Sequence, residues 1–83
     1  MALDKVLVTT VLDILAAMGD RGHTLDAIAN DAQVRTDRTV TVQQCQQAVT
    51  FAKLQGWVAD RDDEWGETRI FITTAGMNRL AQM

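Results

Sequence analysis

Residues 57–72 read as a β-hairpin held between two helical patterns. Trp57-Val58-Ala59-Asp60-Arg61 begins an extended stretch, Asp62-Asp63-Glu64-Trp65-Gly66 is the turn region, and Glu67 to Ile72 returns. Ile70 and Ile72 alternate against Thr68, Arg69 and Phe71, and two such runs around a glycine-bearing turn make a hairpin. Just before it, Thr41-Val42-Gln43-Gln44 has the form of a capping box: the threonine oxygen can accept a backbone N–H while the glutamine reaches back. The helix that follows runs to Gln55, buries Cys45, Ala48, Val49 and Ala52, and stops at Gly56. After the hairpin, Thr73 or Thr74 can cap a last helix through Leu80.

Two more helices precede the capping box. Residues 3–18 place Leu3, Leu7, Val11, Ile14, Leu15 and Met18 on one face, with Gly19 as the stop. Val8 and Leu12 widen that stripe, either as additional core or as part of a dimer contact. Asp20 to His23 reads as a turn. Thr24 then caps a second, short helix whose small apolar face is Leu25, Ile28, Ala29 and Ala32, ending near Gln33, with Asp26 near its positive end. Residues 34–40, Val-Arg-Thr-Asp-Arg-Thr-Val, lack a helical period and read as an extended loop.

Composition sets the outer bounds. The 83 residues suit one α+β domain, 1–83, with ordinary globular proportions of 47% apolar and 23% charged residues. No apolar run approaches the roughly 20 residues of a membrane span, and Asp4 and Asp13 break any signal-like start. Cys45 stands alone, so no internal disulfide forms and a cytoplasmic setting is expected. No enzyme and no cofactor is expected either. His23 is the single histidine and has no nucleophile–base pair, and Asp60, Asp62, Asp63 and Glu64 lack the order of a calcium loop.

The order helix, helix, helix, hairpin, helix resembles a winged helix. Residues 52–58, Ala-Lys-Leu-Gln-Gly-Trp-Val, resemble the end of a recognition helix entering the first wing strand. Residues 70–80 resemble the second wing strand and following helix of bacterial multiple-antibiotic-resistance-type regulators and their phenolic-acid-repressor relatives. In that family an aliphatic residue and Thr are followed by two variable residues and Gly, as in Ile72-Thr73-Thr74-Ala75-Gly76. The likeness covers roughly residues 25–80. It departs from the family in extra residues around Val34 to Val40, where the family's turn is tight. The family's long flanking dimerisation helices are represented only by residues 1–18.

The resemblance implies a small transcriptional regulator that binds double-stranded DNA as a dimer, its third helix in the major groove. The base-reading positions would be Thr41, Gln43, Gln44, Gln47 and Thr50, with Gln46 at the rim. Glutamine can pair with adenine through two hydrogen bonds, and threonine can touch a thymine methyl. A solvated glutamine face is the plainer reading of the same residues. Arg35, Arg38 and Arg69 would meet phosphate, or else pair with nearby acids such as Asp31 and Asp37, and Lys53 lies at the helix's far end.

The charge pattern favours a second possibility. Residues 60–67 carry a net −4 against −3 for the whole chain, so the remainder is about +1. A wing this acidic repels phosphate. Asp62, Asp63, Glu64 and Trp65 would then form a protein-interaction surface, unless Trp65 folds back on its own hairpin.

Overall fold

Asp4 starts the first helix. Its Oδ1 accepts the Leu7 amide at 3.0 Å and caps α1, Lys5–Met18. The computed structural model describes residues 4–82, so Leu3 of the expected stripe lies outside them. Gly19 closes α1 with φ 58°, and a 3-10 turn over Gly19–Arg21 follows. The other elements are α2 (Leu25–Thr36), α3 (Val42–Leu54), β1 (Val58–Asp62), β2 (Thr68–Ile72) and α4 (Thr74–Ala81). The strands pair antiparallel with Val58 opposite Ile72, Asp60 opposite Ile70 and Asp62 opposite Thr68.

The width of the α1 stripe follows from where the helix sits. It packs against α2, α3, β2 and α4, and Leu7, Val8, Val11, Leu12, Ile14 and Leu15 are all buried. Ile28, Ala29 and Ala32 from α2, Cys45, Ala48, Val49 and Ala52 from α3, and Val58 and Ile70 from the hairpin complete one core. Val8 is 4% and Leu12 0% exposed within a single chain, so the core reading of these two holds. As a dimer surface they are corrected: a second copy cannot reach side chains already enclosed by their own domain. Cys45 is likewise sealed in, and burial pushes its thiol pKa up, which suits a small packing residue better than a nucleophile.

The second helix is longer than its apolar pattern indicates. Residues 34–36 belong to α2, which ends only where Asp37 takes the left-handed conformation at φ 53°. Asp is among the few non-glycine residues that tolerate this region. Thr36 Oγ1 donates back to the Ala32 carbonyl at 2.6 Å, so its side chain is satisfied inside the last turn. The extra length relative to a tight helix–turn–helix is therefore taken up by a further helical turn and a short link. Val40, buried at 4%, pins that link to the core.

An isolated bridge at His23 flanks the two-stranded hairpin. The His23 amide donates to the Ile70 carbonyl and the Ile70 amide to the His23 carbonyl, both at 2.9 Å. The ring of His23 meets Asp31 of α2 at 3.1 Å. His23 thus ties the wing to the helical layer.

The hairpin's open end is locked to α4 by Thr73. Its amide donates to the Trp57 carbonyl at 2.9 Å, its hydroxyl donates to the Gly56 carbonyl at 2.6 Å, and the same oxygen accepts the Gly76 amide at 3.1 Å as N-cap. The Ile-Thr-x-x-Gly pattern is the sequence signature of this junction.

Candidate nucleic-acid interface

Burial of Cys45, Ala48, Val49 and Ala52 decides which way α3 faces. Gln43, Gln47, Thr50 and Leu54 recur at helical spacing on the opposite side, and all four are exposed. No acidic residue lies between Thr41 and Leu54. The ridge is polar, uncharged along most of its length and acid-free.

The positions on it are not equally free. Thr41 and Gln44 form the expected capping box: Thr41 Oγ1 accepts the Gln44 amide at 3.1 Å, and Gln44 Oε1 accepts the Thr41 amide at 2.9 Å. Both side chains are exposed, but each already serves the helix end. Gln46 donates to Thr50 Oγ1 at 3.3 Å, one turn on. Gln43 and Gln47 are the ridge's most available donor–acceptor groups.

The cations expected to hold phosphate are each engaged by an acid. Arg35 donates to Asp13 at 3.0 Å and Arg38 to Asp4, both across to α1 rather than to Asp31 or Asp37. All four side chains are substantially exposed. Exposed pairs of this kind contribute about 0–1 kcal/mol, so an incoming phosphate can displace the acid. Asp4 would not be stranded by the exchange. The Leu7 amide is the chief cause of its lowered pKa, ahead of the Arg38 guanidinium.

Lys53 reaches from α3 to Asp60 of β1 at 2.7 Å and closes a shallow groove lined by Gln46, Thr50, Asp60 and Thr68. Sequence spacing carries no sign of this tie between helix and wing, because it joins residues on different elements. Arg69 is half-buried, with Nε 3.4 Å from Asp63 and Nη1 3.5 Å from the Arg21 carbonyl, so it braces the wing rather than standing free.

Asp63 organises the wing tip. Its Oδ1 accepts the amides of Trp65 at 2.8 Å and Glu67 at 3.0 Å, and Gly66 completes the turn at φ 80°. Partial burial works to raise the Asp63 pKa. The Glu67 and Trp65 amides, with Arg69, outweigh it and hold the carboxyl below its ordinary 3.8. A depressed folded-state pKa means the stabilisation is fully present above that ordinary value and is lost as pH falls through the lowered one. The protection of the Trp65 and Glu67 amides, taken as the observed exchange rate against the intrinsic rate at each pH, is therefore expected to fall on acidification before that of α1 does. Asp63→Ala is expected to produce the same local loosening at neutral pH.

Trp65 does not fold back. It stands 83% exposed, which corrects the self-packing expectation: a five-residue turn offers no apolar surface to cover an indole.

Four helices and a two-stranded wing in this order, with the Thr73–Gly76 junction, can be compared directly with solved proteins. The fold is a winged helix. A transcriptional regulator of the MarR family from Silicibacter pomeroyi superposes with a TM-score of 0.73 at 22% identity, covering 92% of this chain and 49% of that one. A mutant of MepR from S. aureus gives a TM-score of 0.70 at 18% identity, covering 90% of this chain and 51% of that one. A second MepR mutant, from a multidrug-resistant S. aureus clinical isolate, gives 0.73 at 18% identity, with 94% and 53% covered. The chain thus spans about half the length of the structures it matches. No family model and no curated protein matches it.

As a winged helix, the chain has α3 as its third helix and β1–β2 as its wing. Gln43, Gln47 and Thr50 share one outward ridge; Arg38, in the α2–α3 connection, lines a small pocket with Gln44 at the start of α3, and Arg35 lies in the last turn of α2 beside Asp13 of α1. Arg69 is set apart in the wing. No described helix is long and apolar enough to cross a membrane.

Proposed function

We propose that the chain is the DNA-binding winged-helix module of a cytoplasmic transcriptional regulator and has no enzymatic role. In this reading α3 lies in the major groove, Gln43 and Gln47 contact base edges, and Arg35 and Arg38 exchange Asp13 and Asp4 for phosphate. The acid-free outward ridge of α3, in a chain whose net charge is −3, carries the reading. A wing with five acids in residues 60–67 leaves DNA contact to α3 and its N-terminal flank. One small module covers little DNA, so two copies reading adjacent half-sites suit the proposal, joined elsewhere than through Val8 and Leu12.

The test is a binding series on a selected duplex at several salt concentrations. Replacing both Arg35 and Arg38 with Ala is expected to weaken binding and flatten the salt slope by about 1 per arginine. Gln43→Ala and Gln47→Ala should each cost about 1–3 kcal/mol at the base pair they read and relax preference there. Glu64→Gln, which removes repulsion without touching a hydrogen bond of the turn, should leave binding unchanged or tighten it. If the arginine and glutamine variants bind like the parent chain, the proposal fails.

A further inference from the structure

We propose that the wing tip is a separate docking surface, whose partner is a protein with a basic groove that receives the Trp65 indole. The inference rests on the hairpin alone and holds whether or not α3 binds DNA.

Trp65 is the most exposed large apolar side chain among the described residues. Its backbone is also held in place. Asp63 Oδ1 accepts the Trp65 amide, the Asp63 amide donates to the Glu67 carbonyl at 2.8 Å, and the Gly66 amide donates to the Asp63 carbonyl at 3.1 Å. A tip ordered before binding loses little freedom on binding, and tryptophan is the side chain most enriched at binding hot spots.

The surrounding charge selects the partner. Asp62, Glu64 and Glu67 are exposed around the indole. Of the two nearby cations, Arg61 lies over the Phe71 ring, 4.4 Å from its centroid, and Arg69 is engaged by Asp63 and the Arg21 carbonyl, and with Arg61 counted residues 60–67 still carry a net −4. An indole in an acidic rim repels nucleic acid and anionic lipid, and it repels a second copy of itself. It is complementary to a groove bordered by lysine or arginine, where the rim charges speed encounter and the indole supplies the buried anchor.

The test selects peptides from a random displayed library against the whole chain at low salt, then titrates them into isotope-labelled chain. Expected are lysine- and arginine-rich peptides that shift the Trp65 indole N–H and the amides of residues 63–67 and weaken as salt rises. Trp65→Ala, and separately the pair Glu64→Lys and Glu67→Lys, should each reduce affinity at least about tenfold. These positions are exposed, and circular dichroism and the unmoved amide shifts of α1 would show the variants folded. Peptides that bind the Trp65→Ala chain equally well, or that carry no positive charge, would overturn the proposal. So would Trp65-dependent self-association in sedimentation, or Trp65-dependent binding to anionic vesicles.

Discussion

Gly76→Ala is expected to destabilise the domain by about 3 kcal/mol or more, the upper end of what overfilling a packed site costs. Helix propensity alone gives the opposite sign, since Ala is favoured over Gly by about 1 kcal/mol inside a helix. Packing decides between them. A Cβ at position 76 would lie 2.1 Å from the Trp57 carbonyl oxygen, 3.0 Å from its carbon and 2.7 Å from Ile72 Cγ1. The first two are backbone atoms and cannot swing aside. That carbonyl also accepts the Thr73 amide, so moving it breaks the lock between hairpin and α4. Urea unfolding followed by circular dichroism measures the effect: the midpoint should fall sharply. A higher midpoint would mean that α4 does not pack on the hairpin as described.

Leu12→Ala should cost about 2–5 kcal/mol, as leucine truncation in a closed core does. Leu12 is fully enclosed on α1, the helix that every other major layer touches. For a domain whose whole stability is on the order of 5–15 kcal/mol, this leaves a large unfolded fraction. A dimer-surface role predicts something else, a lower association constant with the monomer's stability unchanged. Denaturation combined with sedimentation separates the two. A loss of association with unaltered unfolding would contradict the core assignment.

The sequence shows most of this fold because its local signals agree with the packing. The Thr41–Gln44 box, the Gly56 stop, the 62–66 turn and the Thr73 cap each mark a boundary that the structure keeps within a residue or two. Residues 34–36 read as loop from sequence because Val34 and Thr36 favour extended backbone and Val34 faces solvent, so no apolar period marks the helix there. The candidate site is less legible. The ridge of Gln43, Gln47 and Thr50 follows from helical spacing alone. The acids that occupy Arg35 and Arg38 lie on α1, far away in sequence, and only tertiary packing brings them near. The same holds for Lys53 with Asp60 and His23 with Asp31. For Trp65 the sequence leaves cover and exposure both open, and the geometry of a short turn, which supplies no cover, decides for exposure.

An amide NMR titration of the chain with a generic short duplex at low salt tests the central claim most directly. Binding through α3 predicts shifts confined to residues 35–50 and the base of the wing, fading as salt rises, with the amides around Trp65 unmoved. No shift at low salt, where phosphate attraction is greatest, or shifts centred on the wing tip, would contradict it.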